Sequence, residues 1–572
     1  MLWEIQRISE IYQQIVGKAL EERAPVLLLV SPDVDALCSC RILTSLLRSD
    51  GIMYKIKQIS GYIDLHRVNQ SYLENKEEFH SVFMLNCGGT VDLNENLSLP
   101  SSSKCLVVDS HRPIHLGNIR SDSRIVVVND GSIEPSEIPS DISESEEECE
   151  EEVNEDEDEE SMKRRVEKEK EHELKRLEHD RKRRKLTRYE EYNYYSRPVS
   201  FQIYSLVCQL DRLNNDLVWL SIVGVTDQYL HNHINNAAYA VCYNEVMNKV
   251  NMLNIQGIEG DGSVGSIQQS YEPRFLLYRF WSLYESMIHS EYIVVKFRLM
   301  NPNNSVRVKE LLAKIGISLK ESKEPFHFLP IQIRKELSKR LTSVSDTFGL
   351  EDLYYDSFTR RYDIRTELSA ADVVYATNAL LEKCEGDEWE ENWNRCYDAL
   401  LTDRNLDVLR EGISLCEEQQ EALLRVGTSI VEKRQIRIAE HFRYTFLNDL
   451  VEGDVAIFSQ PIMLQRLAQF IVRVKRQTGD WRGKRGLPYL LCVLNPKTSI
   501  YILTGVSCGE EEEAEVNQFR MLFQLTTEKM QARCRLDSFS GSVMQLHKDE
   551  LLLFIDELHT SLQDYYLETG SL

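Results

Sequence analysis

Four aspartates have the type and spacing from which chemistry could be built. Asp33 and Asp35 follow the apolar run at residues 26–30, Asp109-Ser110-His111 follows the run at 105–108, and Asp227 ends the apolar segment 217–227. Carboxylates delivered to the carboxyl ends of parallel strands converge in one crevice. There they can hold a pair of divalent cations, which acidify a bound water and clamp a phosphoryl group. The chemistry these residues point to is metal-dependent hydrolysis of a phosphoester.

The elements needed to position them are present. Short β-prone runs at residues 26–30, 52–59, 82–85, 105–109 and 125–129 alternate with helical segments, which predicts a parallel sheet wrapped by helices. Ser31-Pro32 ends the first run, and a helix is expected from about Asp35. Residues 131–190 interrupt the pattern. Their first part, 141–160, holds fourteen Asp or Glu and no Lys or Arg, and it cannot bury enough surface to fold alone. Residues 162–188 then carry thirteen Lys or Arg and suit a solvated helix. Arg181, Lys182, Arg183, Arg184 and Lys185 form a cluster of the nuclear-localisation type, for which an ordinary solvated charge run is the plain alternative.

The sheet pattern resumes with a helix at 202–213 and the 217–227 segment. The chain then reads as helical for some two hundred residues, with an apolar face along 275–288, a Ser369/Asp372 cap and long helical material over 406–447. Strand-like runs return at 455–458, 489–494 and 499–506, separated by helices. The expected order is a sheet domain at 1–130, the insertion at 131–190, completion of the sheet domain at 191–235, an all-helical domain at 236–450 and a smaller α/β domain at 451–572.

Bulk composition restricts the function classes. The net charge is −25, of which the acidic run accounts for more than half, so any nucleic-acid contact must come from a local basic patch. One candidate is Arg473, Lys475, Arg476, Arg482, Lys484 and Arg485 around Trp481, a mixture suited to phosphate pairing and base stacking on single-stranded DNA. A solvated loop explains it as well. Thirteen Cys without a CxxC pair predict reduced thiols, and Cys38 with Cys40 lacks the second pair of a zinc site. Leu2 to Leu20 reads as an amphipathic helix rather than a signal peptide, and no run reaches the 18 or so apolar residues of a membrane span. The expectation is a soluble intracellular protein with no membrane partner. Gly-x-x-x-x-Gly-Lys-Ser/Thr does not occur, so an ATPase phosphate loop is not expected.

Asp33-Val34-Asp35-Ala36, Asp109-Ser110-His111 and Gly224-Val225-Thr226-Asp227 together resemble the DHH phosphoesterases, including the RecJ exonucleases. The resemblance implies a DHH-type parallel sheet domain with a disordered insertion, a central helical domain and a DHHA1-like α/β domain. It also implies metal ligands at Asp33, Asp35, Asp109, His111 and Asp227. Two ligand positions depart from the pattern. The second-strand carboxylate is replaced around Asn86-Cys87, and the first His of the triplet is Ser110. Two neighbouring dications need several anionic oxygens, so the expectation is no catalytic residue and no resident cofactor, with room for one weakly held Mg²⁺ or Mn²⁺. The competing reading of the aspartates is plain structure: Asp35 caps a helix and Asp109 bonds nearby loops.

The departures, with Ser31-Pro32, residues 276–283 and 371–377 and the acidic insertion, resemble the cell division control protein 45 family. Membership implies a nuclear, non-enzymatic subunit of the replicative helicase joining the MCM ring and the GINS complex. It further implies contact with single-stranded DNA or origin chromatin, and no obligate homo-oligomer. The alternatives are an active Mg²⁺- or Mn²⁺-dependent exonuclease or phosphodiesterase and, on composition alone, an acidic chaperone of basic proteins.

Overall fold

In the computed structural model, the described residues are 1–572 without 75–77, 80, 101–102, 121–123, 137, 140–176, 178–180, 257–263, 364–365, 384–388, 402–404, 480, 482–485, 508–515, 531–532, 536–538, 540 and 570–572. The acidic run 141–160 therefore lies outside them. Residues 181–190 are helical, with Arg181 to Lys185 exposed.

Seven short strands open the chain: β1 (Leu2–Glu4), β2 (Val26–Val30), β3 (Tyr54–Gln58), β4 (Ser81–Leu85), β5 (Lys104–Val108), β6 (His111–Arg112) and β7 (Ile125–Asn129). Six of them form an all-parallel sheet in the order β1-β7-β5-β4-β2-β3. Successive residues of the central strands face opposite layers. Leu28, Phe83, Leu106 and Val126 join the core under the Val34–Ser49, Val199–Gln209 and Asn215–Leu230 helices, while Leu27, Val82, Cys105 and Ile125 join the core on the other face. Burial on both faces explains why these strands read as unbroken apolar runs rather than alternating ones. The amino-terminal segment is not a single helix: β1 pairs with β7 at the sheet edge, and the helix runs from Ile8 to Glu22. A short strand, β8 (Tyr194–Tyr195), returns after the insertion and pairs with β6 beside Asp109.

The central part departs from an all-helical domain. It holds a three-stranded antiparallel sheet of β9 (Ile267–Pro273), β10 (Tyr354–Arg361) and β11 (Glu367–Ser369), as well as its helices. The aromatic stretch before residue 283 is a turn, and Ser282 caps the short helix Leu283–His289. Helical spacing of apolar residues reports burial on one side, which a packed turn achieves as well. Glu272 of β9 is tied to the Ala370–Leu381 helix through Arg279, which lies 2.5 Å from Glu272 and 3.5 Å from Asp372.

The 27-residue helix Leu406–Glu432, about 40 Å long at 1.5 Å per residue, joins the cores. Leu409, Ile413 and Cys416 pack with the first core, and Leu423, Val426 and Ile430 with the last. Gly412 permits its close approach, since a Cβ there would lie 2.3 Å from the Ala376 carbonyl oxygen.

The carboxy-terminal sheet starts before residue 451. Strands β12 (Arg437–Ile438), β13 (Arg443–Leu447), β14 (Tyr489–Asn495), β15 (Ile500–Val506), β16 (Cys534–Arg535) and β17 (Val543–His547) run in the order β12-β13-β14-β15-β17-β16. The run at 455–458 is the end of the helix Glu452–Phe458, a case in which four apolar residues do not distinguish strand from helix. Among the described residues no single helix is long and apolar enough to cross a membrane.

Candidate functional site

The sequence-selected residues meet above the carboxyl ends of β2, β4 and β5. Asp33 is the N-cap of the Val34–Ser49 helix, with Oδ1 accepting from the Ala36 amide at 2.7 Å. This satisfies one of the unpaired amides at a helix start. Asp35 sits inside that helix and caps a different one. Its two oxygens accept from the amides of Val199 and Ser200, at 2.6 and 2.9 Å, at the start of the Val199–Gln209 helix.

Asp109 accepts from the Gly89 amide at 2.8 Å, from the His111 amide at 3.0 Å and bonds the His111 ring at 2.7 Å. The loop is anchored from behind by Arg112, which donates to the carbonyls of Asp109 and His111 and pairs with Asp130 at 3.0 Å, both side chains being buried. Asp227 lies in the last turn of the Asn215–Leu230 helix, not at the end of a strand. Its Oδ1 accepts from the Asn378 side chain at 2.9 Å and stands 3.1 Å from His231 Nδ1, one helical turn on.

Asn86 connects these groups. Its amide nitrogen donates to Asp33 at 3.0 Å, while its carbonyl oxygen accepts from the Ser110 hydroxyl at 2.6 Å and the Ser110 amide at 3.2 Å. Asn86 has φ +55°, a left-handed conformation that Asn tolerates better than most residues. The two departures from the ligand pattern are thus hydrogen-bonded to each other.

Close packing surrounds the group. A Cβ on Gly89 would lie 2.8 Å from Asp109 Oδ2, and one on Gly224 would lie 2.2 Å from Ser200 Oγ and 2.7 Å from Asp35 Oδ1. Both glycines allow backbone to lie directly against a carboxylate. His233 stacks on Tyr195 with ring centres 3.8 Å apart, and Tyr195 lies 5.0 Å from His111. His231, His233, Tyr195 and Asn378 complete the arrangement and were not selected from sequence. The spacing of Asp227 and His231, four apart on one helix face, was the available signal.

The electrostatics divide the carboxylates. Burial, with Asp33 beside it, pushes Asp35 up to about 8. Burial also raises Asp33, and the charge of Asp227 adds to it. For Asp109, burial is outweighed by the charge and hydrogen bonds of His111 and by backbone amides, which hold it below its ordinary value. For Asp227, burial is outweighed in the same way by His231. Burial and the neighbouring His231 drive His233 down to about 3, which keeps it neutral.

The basic cluster is arranged differently from the expected platform. Trp481 is buried in the last core under the Arg443 guanidinium, 4.2 Å from its ring centre, so it offers no face for base stacking. Arg473 pairs with Glu291 at 3.1 Å. Arg482, Lys484 and Arg485 lie outside the described residues. Arg473 and Arg476 instead line a cavity of about 410 Å³ where the three parts of the chain meet, together with His231, Arg274, Tyr375 and Arg466. Lys475, in the last turn of the same helix, is half-buried.

Comparison with known proteins agrees with this architecture. The CDC45 family model matches residues 26–161 and 134–561. The cell division control protein 45 homolog of Schizosaccharomyces pombe is 31% identical, covering 96% of this chain and 97% of that protein. The human homolog is 29% identical, covering 93% of this chain and 96% of that protein. A crystal structure of CDC45 from Entamoeba histolytica superposes with a TM-score of 0.72 at 19% identity, covering 98% of this chain and all of that one. The chain therefore belongs to the CDC45 family.

Proposed function

We propose that this protein is a nuclear DNA-replication factor that acts without catalysis, as the subunit that joins the MCM ring and the GINS complex in the replicative helicase. The observation that carries the non-catalytic reading is Asn86. It stands where the DHH phosphoesterase pattern has a carboxylate, and it spends both ends of its amide on Asp33 and Ser110. Two dications would need anionic oxygens there, and Asn86 removes a full charge from the set. Asp35 is committed to two helix amides and Asp109 to Gly89 and His111. The donor set does not fit a two-cation centre.

The fold would persist as a platform for partners. Single-stranded DNA would be met by phosphate pairing along the basic run rather than by stacking on Trp481. The exposed run Arg181 to Lys185 supplies a nuclear-localisation signal of the basic type. The acidic insertion is left to contact a basic surface.

Incubation of the purified chain with labelled single-stranded DNA and Mn²⁺, beside an Asp33→Ala/Asp109→Ala control, tests the site. No metal-dependent cleavage is expected in either. Cleavage that the control loses would establish the exonuclease instead. Co-purification with MCM and GINS from replicating cells tests the assembly role, and its absence at origins would refute that role. Replacing Arg482, Lys484 and Arg485 with Ala should weaken single-strand binding and reduce the salt slope by about 2, at roughly 0.7 per phosphate contact.

A further inference from the structure

Glu440, His441 and His559 stand together on the carboxy-terminal domain, far in sequence from the carboxylate cluster. One ligand atom from each lies within 4.8 Å of the other two. Glu440 and His441 belong to the turn between β12 and β13, and His559 to the final helix, Leu551–Thr569. His559 Nε2 is 3.7 Å from Glu440 Oε2, and the two imidazole rings are 5.2 Å apart.

From this we infer a divalent transition-metal site, of the zinc type, that clamps the final helix to the β12–β13 turn. Two imidazoles and one carboxylate form a donor set that suits Zn²⁺ and disfavours Mg²⁺ and Ca²⁺, which take oxygen ligands. Tetrahedral zinc with bonds near 2.0–2.1 Å places its ligand atoms about 3.4 Å apart. The 3.7 Å between His559 Nε2 and Glu440 Oε2 is already near that value.

The backbone is held ready for it. Phe442, next to His441, and Leu558, next to His559, are both fully buried in the same core, so the two histidines are carried on packed positions. Glu440 is 70% exposed at its side chain, which leaves a way in for the ion and a fourth position for water. The carboxylate also offsets one of the two charges brought by the cation. Binding the folded chain in preference to the unfolded one would stabilise the domain by mass action.

The test uses the full chain stripped of metal with a chelator and titrated with Zn²⁺, with heat of binding and thermal unfolding as readouts. The expected result is one ion bound per chain and an unfolding temperature that rises with Zn²⁺ but not with Mg²⁺. In His559→Ala the affinity should fall at least tenfold and the Zn²⁺-dependent rise should disappear. Glu440→Gln cannot unfold the protein through an exposed side chain, and it should also weaken binding several-fold. Co²⁺ should give the visible bands of tetrahedral coordination in the wild type and lose them in His559→Ala. Zn²⁺ that leaves the wild type unbound at about 100 µM, or binds both variants as tightly as the wild type, would overturn the site.

Discussion

The carboxylate cluster and the cavity beside it both gather charged side chains and use them differently. In the cluster, Asp33, Asp35, Asp109 and Asp227 are turned onto the protein's own amides and imidazoles. At the junction, Arg466 and Arg473 share Glu291 at 3.4 and 3.1 Å and still border about 410 Å³ of open space. A buried polar group must find a partner. In both regions these partners lie within the chain, but only the second also borders open space. On the proposed reading, the difference separates carboxylates that serve the fold from a cavity with room for a contact.

The sharpest way to break this comparison is to remove the anchor of the Asp109 loop. Arg112→Met leaves Asp130 buried without its cation, and breaking a buried pair in this way costs about 3–5 kcal/mol. Equilibrium urea unfolding of the variant measures it. A loss under about 1 kcal/mol would mean that the loop is not held as described.

Reversing one departure gives the next largest effect. Asn86→Asp places a carboxylate against Asp33 and removes the amide that donates to it. The variant should lose about 1–3 kcal/mol in the absence of metal, the usual cost of leaving a buried polar atom unsatisfied. Mn²⁺ should restore part of that loss in the variant and have no such effect on the wild type. Equal Mn²⁺ effects on both would show that Asn86 is not what distinguishes the cluster from a metal site.

Much of this was legible in the sequence, for definite reasons. Strands β2, β4, β5 and β7 are buried on both faces and so appear as apolar runs, and the aspartates that follow them mark the crevice. Asp227 does lie beside Asp33 but on a helix, because a helix buried on nearly all sides is as uniformly apolar as a central strand. Trp481 was misplaced because composition shows an aromatic among cations without showing which side is buried. The cation over its ring is Arg443, 38 positions earlier, a contact that only tertiary packing creates. His231 and Asn378 escaped because the polar partners of a carboxylate follow from tertiary packing.

Asp35 and its neighbours predict a pH dependence whose sign is fixed. Asp35 titrates near 8 in the folded chain, against about 3.9 for an unperturbed Asp. Between these values the folded state keeps a proton that the unfolded state has lost, so the contribution of Asp35 to stability falls as pH rises. Asp35→Asn cannot titrate. The stability of the wild type relative to this variant should decline from about pH 4 to about pH 8 and be flat above it. Asp109 and Asp227 act in the opposite sense, since both are held below the ordinary value and lose their contribution only in stronger acid. Urea midpoints for the two proteins across this range would show the trend, and a difference that grows with pH would contradict it.

The smallest effect is expected at the junction, and its smallness is the informative part. Arg473 is one-third exposed at its side chain and shares Glu291 with the better-buried Arg466, so Arg473→Ala should cost no more than about 1 kcal/mol. If the proposed DNA contact runs through Arg473, the effect on single-stranded DNA binding should exceed the effect on folding, because Glu291 keeps one cation. A variant that unfolds readily and binds DNA unchanged would show that Arg473 serves the fold, as the aspartates of the cluster do. The contrast between the two regions would then fail at the residue where it is most exposed to test.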